Sequence, residues 1–427
     1  MIIKSIAITN FKSFKNLNVM CNNLNILIGA NASGKSNFLK IFEFLSNIAN
    51  HGLDNAISIE GGVEYIRNLN LGSIQEMSAK IIYDPDLYNI KKINQKSELG
   101  IRLNEAIYEF SIKFHKKGNG YNISKDKFTL HYEFANLEIT ENSLKEVEPI
   151  GNGIAVFSVA KGRISLAIDF PDDPNIIVEE INPAFSFRVF DDFQIPARTL
   201  FLETPFYEVA NYFKAPLRDI PIYDFDPKLP KKSVAITGKK ELAENGNNLS
   251  VVLRDILGEK EKRRKFLNLL HDLLPFVHDI KVQRFADKSL LFSLREDSES
   301  KSPYLPASFI SDGTISMTAL IVALYFQRYS LIVIEEPERN IHPHLIPKIV
   351  DMINDVSKEK QIFVTTHNPE IVKFANLENL LFVSRNQEGF SEITKPADNS
   401  EVNFFLENEI GIDELFTQNL LGRSDAQ

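Results

Sequence analysis

At 427 residues, with 44% hydrophobic and 25% charged residues, the chain has the composition of a folded, core-forming protein and not of a disordered one. A formal net charge of −9 argues against a broad, non-specific nucleic-acid surface and leaves room only for a local basic stripe. The single cysteine, Cys21, excludes an internal disulfide and any multi-cysteine zinc site, and it fits a reducing cytoplasm.

The length allows two or three domains, or one large α/β domain with an insertion. A phenylalanine count of 32 against no tryptophan suggests a phenylalanine-rich interior. The opening MIIKSIAITNFKSF lacks a long apolar signal core, and the apolar stretch Met317 to Phe326 is too short to span a bilayer, so a soluble, cytoplasmic chain without a membrane partner is expected.

Strands are predicted at about 2–9 and 16–20, followed by a buried strand over Leu24 to Ile28. Phe38, Leu39, Ile41, Phe42 and Leu45 recur at helical spacing and predict a helix to about Ala49. Between strand and helix stands Gly29-x-x-x-x-Gly34-Lys35-Ser36, the phosphate-cradling pattern of P-loop NTPases. Glycines let successive backbone N–H groups point into one concavity, and the following helix adds its positive end. Gly29, Asn31, Ala32, Ser33, Gly34, Lys35, Ser36 and Asn37 are therefore the candidate nucleotide-binding residues. A polyphosphate fits there: Lys35 would reach the β- and γ-phosphates, and the Ser36 hydroxyl would ligate Mg²⁺. A glycine-rich turn could match by chance, but the flanking strand and helix weigh against it.

From about 55 to 215 the texture changes to short alternating segments, such as IYEFSIKF (107–114) and KFTLHYEF (127–134), separated by Gly, Asn and Asp turns; an antiparallel sheet is predicted. Pro171, Pro174, Pro183, Pro196, Pro205, Pro216, Pro221, Pro227 and Pro230 exclude a long continuous helix in its later part. No heptad run is present, so no coiled-coil arm is expected. Residues 241–274 read as helical, with Leu249, Val252, Leu253 and Ile256 on one face and Phe266, Leu267, Leu270, Leu273 and Leu274 on another. The basic cluster Lys260, Lys262, Arg263, Arg264 and Lys265 reads as a solvated helix face before it reads as a DNA contact.

In SFISDGTISMTALIVALYF (308–326), Ser311-Asp312-Gly313-Thr314 opens a helix with Ser311 as its cap; an ordinary helix start looks the same. In YSLIVIEEPERNIHPHL (329–345), Leu331 to Ile334 is a continuous apolar run, as a parallel strand buried on both faces requires. It ends on Glu335, expected to hold Mg²⁺, and Glu336, expected to polarise the attacking water. Glu338 reads as a solvated loop residue. A helix follows with Leu345, Ile346, Ile349, Val350, Ile353 and Val356 inward, then QIFVTTHNPEIV (361–372), another strand ending in polar residues. His367 would bond the γ-phosphate and attacking water; the alternative is a histidine in a turn with no ligand. His342 and His344 are assigned no metal, since they sit two apart with no third ligand.

Together GANASGKSN, FISDGT, VIEEPERNIHP and TTHNPE resemble the ABC-type, AAA-family ATPases of the SMC, RecF and OLD branch. The nearest likeness is to the short, arm-less forms of bacterial anti-phage defence and DNA repair. ITNFKSF and ENGNNLSVVL share it, while the stretch from about 85 to 215 resembles little. The resemblance implies an α/β P-loop fold with a mostly parallel core sheet, an antiparallel β-rich insertion and a helical subdomain. The segments would be 1–84 with the phosphate loop, 85–240 as the insertion, 241–328 as the helical part, and 329–427 with the acidic pair and His367. It also implies two heads sandwiching two ATP molecules, with Ser311 and Gly313 contacting the γ-phosphate in trans, and Lys12 and Ser13 approaching the nucleotide. Glu335 stands where many relatives have Asp, ISDGT departs from the signature of transporters, and Gln75 is only the most convenient metal-binding glutamine.

Two functions share this site. One is an ATP-hydrolysing dimer that restrains a separate effector such as a nuclease, as resemblance to the Septu and PARIS defence ATPases implies. The other is a RecF-type clamp on DNA. The acidic balance and missing arm favour the first. A regulator that binds nucleotide without hydrolysing it is a third reading. With 57 residues after Glu370, no nuclease domain of the OLD type is expected in this tail.

Overall fold

A computed structural model describes residues 2–85, 87–93, 97–116, 118, 120–140, 143–177, 181, 194–204, 214, 216–285, 288–296, 303–407 and 411–418. Pro183 and Pro205 lie outside the described residues. Contacts divide the chain into two units: Met1–Cys21, Asn37–Ile220 and Arg385–Ile393 form one, and Asn22–Ser36, Pro221–Ser384 and Thr394–Gln427 the other. The expected segment 1–84 is split by this grouping.

In the first unit, alternation of apolar and polar residues builds an antiparallel sheet. Its strand order is Phe14–Met20, Ile2–Phe11, Met77–Asp84, Ser97–Phe114, Tyr121–Thr140, Ser143–Ala160 and Arg163–Asp169, with Leu87–Lys92 also paired to Ser97–Phe114. Met77, Ala79, Ile81 and Tyr83 all point to the buried face, as a period of two requires. The helix Lys35–His51 buries Phe38, Phe42, Phe44 and Leu45, and the Phe44 ring lies 5.6 Å from that of Phe11. Tyr108 stacks on Phe128 at 4.2 Å, and Phe201 packs edge-on to Phe128 at 5.2 Å, so the interior is aromatic, as the composition suggests.

That interior holds a carboxyl. Asp126 is 3% exposed and accepts the Phe201 backbone N–H at 2.6 Å. Burial pushes its pKa up to about 7, against the partial relief given by the Phe201 amide and the Tyr108 hydroxyl. Between about pH 4 and 7 the unfolded chain releases a proton that the folded one keeps, so stability falls as pH rises through that window. Asp126→Asn keeps an acceptor for Phe201 and stays neutral. The wild type is expected to lose on the order of a few kcal/mol relative to Asp126→Asn between pH 4 and 8. Denaturant midpoints measured across that range check this, and parallel pH curves for the two proteins would refute it.

In the second unit five neighbouring strands pair in parallel, in the order Ile222–Tyr223, Leu331–Glu335, Gln361–Thr366, Leu24–Ile28 and Leu380–Arg385. Every residue of Leu24–Ile28 and Gln361–Thr366 is buried, which is why both read as unbroken runs with hardly any alternation. Helices Asp312–Tyr325 and Ile346–Ser357 bury Leu320, Leu324, Ile349 and Ile353 in the same core.

The expected helix over 241–274 is two helices, Leu249–Gly258 and Lys260–Leu273. Residues 241–248 are held off helix by Asn248, whose amide donates to the Lys239 and Glu241 carbonyls at 3.0 and 2.8 Å and whose oxygen accepts the Ala243 N–H at 2.8 Å. Four residues of the basic cluster have local partners: Lys262 with Glu259, Arg263 with Asp279, Arg264 with Glu261, and Lys265 over the Tyr325 ring. No helix among the described residues is long and apolar enough to cross a membrane.

Candidate active site

Register brings three strand ends of the second unit together. Glu335 lies opposite Thr365, and Thr366 lies opposite Ile28, so the loops after Leu331–Glu335, Gln361–Thr366 and Leu24–Ile28 leave the same edge of the sheet side by side. Carboxyl ends of adjacent parallel strands are where ligands bind in open α/β sheets.

The glycine-rich loop occupies the third of these positions. At Gly29 a Cβ would lie 2.2 Å from the Val383 carbonyl oxygen and 2.9 Å from Ser33 Oγ, so no larger residue fits without moving backbone. Gly34 has φ +123° and Ala32 φ +62°, positive-φ conformations of the kind that nests of successive amides use. The helix Lys35–His51 then begins, and its first amides have no acceptor within the helix. Chain sense, glycine and helix end are together the features that suit a loop to an anion.

Lys35 curls back over the loop, donating to the Gly29 and Ala30 carbonyls at 2.7 and 3.0 Å. Burial lowers its pKa, opposed in turn by the charges of Glu336, Glu335 and Glu338. Ser36 Oγ donates to Glu335 Oε1 at 3.2 Å, joining residues 299 apart in sequence. A hydroxyl and a carboxylate, both hard oxygen donors, fit Mg²⁺, which takes few protein ligands and leaves other positions to phosphate and water. The longer Glu335, in place of Asp, still reaches Ser36.

Glu336 follows with φ +46°, uncommon for a residue other than glycine. Its amide donates to the Thr365 carbonyl at 2.9 Å, which pins the backbone. Oε1 accepts from His367 Nδ1 at 2.5 Å, so the phosphate loop, Glu335, Glu336 and His367 form one constellation. Oε2 accepts from Arg339 Nε and Nη2, each at 3.2 Å, and Arg339 Nη1 reaches Asp224 Oδ1 at 2.6 Å.

Three of these neighbours were not legible as site residues. Glu338 is not a solvated loop residue: it is 6% exposed, accepts from Thr366 Oγ1 at 2.5 Å, and burial raises its pKa. Arg339 lies one helical turn's spacing after Glu336, which was the only signal for it. Asp224 follows Ile222–Tyr223, a strand of two residues too short to register as one.

Other expected residues sit elsewhere. Ser311 caps Asp312–Tyr325, accepting the Thr314 N–H at 3.2 Å. Gly313 packs on the turn after the acidic pair, where a Cβ would lie 2.7 Å from the Asn340 carbonyl oxygen. In the first unit, Lys12 is paired with Glu60 at 2.5 Å, and Ser13 bonds Asn37 and Ser391, each at 2.8 Å. The Gln75 carbonyl accepts from Asn10 at 2.6 Å in that same unit. His342 and His344 face each other, Nδ1 to Nδ1, at 2.6 Å.

A family model described as "AAA domain, putative AbiEii toxin, Type IV TA system" matches residues 24–373. A search of curated proteins matched none. Among solved structures, the chain is similar to an SMC head bound to the C-terminal winged-helix domain of ScpA, with 15% identity, 92% of this chain and 98% of that one covered, and a TM-score of 0.48. It is also similar to the SMC head domain from Thermotoga maritima, with 11% identity, 92% and 99% covered, and a TM-score of 0.40. A third is the Pyrococcus furiosus SMC head with an extended coiled coil bound to the C-terminal domain of ScpA, with 13% identity, 96% and 99% covered, and a TM-score of 0.44.

Proposed function

We propose, from the premise that the chain belongs to the AAA-domain family whose model spans residues 24–373, that it binds and hydrolyses ATP and uses the ATP-bound state to join two copies of itself. The observation that carries this is the hydrogen bond from Ser36 to Glu335, which ties the phosphate loop to the acidic strand end. Loop amides and Lys35 bind the β- and γ-phosphates, Lys35 exchanging its two carbonyl partners for phosphate oxygens. Ser36 and Glu335 would hold Mg²⁺, whose charge offsets that of the triphosphate. Glu336 accepts a proton from water as the water oxygen bonds to the γ-phosphorus and the bond to the β–γ bridging oxygen breaks, leaving ADP and phosphate. His367, bonded to Glu336, orients that carboxylate and the water.

In the two-copy state, Ser311 and Gly313 of one chain face the γ-phosphate held by the other, so loss of that phosphate removes charge-assisted bonds across the pair. A switch of this kind suits control of a separate effector, such as a nuclease in bacterial defence, and the net charge of −9 favours a protein partner over bare DNA. The test is solution mass with ATP and Mg²⁺, with ADP, and without nucleotide. A doubled mass with ATP alone is expected; a monomer at saturating ATP removes the two-copy reading, and no binding of ATP removes the whole.

A further inference from the structure

Glu336 has more hydrogen-bond donors than a base needs. A carboxylate offers about four lone-pair positions. His367 takes one on Oε1, and Arg339 takes both on Oε2 with two converging N–H groups. One position on Oε1 is left to receive a proton. The fork of Arg339 is itself fixed from the other side by Asp224, which follows the edge strand Ile222–Tyr223 and pairs with Nη1.

Stability does not account for this arrangement. The Arg339 and Asp224 side chains are 42% and 52% exposed, and ion pairs at such sites contribute little to folding. What the clamp delivers is direction. Glu336 sits in a left-handed backbone conformation at a turn, and its side chain has free torsions that the φ of +46° does not set. The planar guanidinium, with its donors in fixed relation, sets them.

We propose that Arg339, held by Asp224, is a positioning residue for Glu336: it orients the carboxylate so that Oε1 faces the attacking water. This rests on the reading of Glu336 as the proton acceptor. Arg339 touches neither phosphate nor water in this role, and it acts only through Glu336.

The test compares Arg339→Met, which keeps the apolar stem and removes every donor, with Asp224→Asn and with the double variant. Arg339→Met is expected to lower kcat about 10- to 100-fold, the size of effect that a misplaced catalytic group produces, with ATP Kd within about two-fold of wild type. Asp224→Asn should lower kcat several-fold, and the double variant should be no slower than Arg339→Met alone, since both substitutions release one clamp. Circular dichroism melts should show all three folded, with midpoints near that of the wild type. A wild-type kcat in Arg339→Met overturns the proposal, as does a loss of ATP affinity in step with kcat. Additive losses in the double variant overturn the part assigned to Asp224. Absence of turnover in the wild type defeats the reading of Glu336 and the proposal with it, whereas normal wild-type turnover beside any of the former results defeats the proposal alone.

Discussion

Glu336→Gln is expected to lower ATP turnover by at least about 10²-fold, the usual contribution of a positioned general base, while ATP binding survives. The substitution is nearly isosteric and the hydrogen bonds around it can be kept. Arg339 only donates, so the amide oxygen of Gln would turn toward it, and the amide N–H₂ would face His367, whose Nδ1 accepts once its proton moves to Nε2. What is lost is the group that receives the proton of water. The phosphate loop, Lys35, Ser36 and Glu335 are untouched, so the nucleotide should accumulate unhydrolysed and the two-copy state should persist. Phosphate release, the identity of bound nucleotide after quenching, and solution mass report the three parts. Turnover within a few-fold of wild type, or bound nucleotide recovered as ADP, would remove Glu336 from the role of base.

The strands that carry the candidate site were readable because burial on both sheet faces leaves a plain trace. Leu24–Ile28 and Leu331–Glu335 are apolar runs that stop abruptly at glycine or acid. The antiparallel sheet was readable in kind and not in extent. IYEFSIKF and KFTLHYEF are halves of the strands Ser97–Phe114 and Tyr121–Thr140. Short segments separated by Gly, Asn and Asp turns were expected, yet the chain runs on as strand through Gly100, Asn104 and Asn136, with register shifts at Leu103/Glu105 and Asn136/Leu137. A residue that breaks alternation marks a bulge as readily as a turn, and only the partner strand decides between them. Arg339 and Asp224 stayed hidden for a similar reason: 115 residues separate them, and nothing local to either marks the other.

Lys35→Ala should act one step earlier, on nucleotide binding itself. The ammonium lies among carbonyls and within the field of Glu335, Glu336 and Glu338, whose charge it partly offsets. Its half-buried place lowers its pKa, so less hydration has to be given up when phosphate oxygens replace the Gly29 and Ala30 carbonyls. Removal costs charge-assisted bonds to two phosphates and takes away one of the positive charges that offset the acids facing the triphosphate. At about 1.5 to 3 kcal/mol for each such bond, ATP affinity should fall by at least about 10²-fold. Calorimetric titration of ATP into the variant measures this, and affinity within a few-fold of wild type would mean that Lys35 does not meet the phosphates. The same variant should stay monomeric at ATP concentrations that pair Glu336→Gln, because the contact made by Ser311 and Gly313 of a second copy requires a γ-phosphate to be in place. A Lys35→Ala chain that pairs without bound nucleotide would show that the two-copy state is held by protein surface alone, and nucleotide would then have no means of switching it.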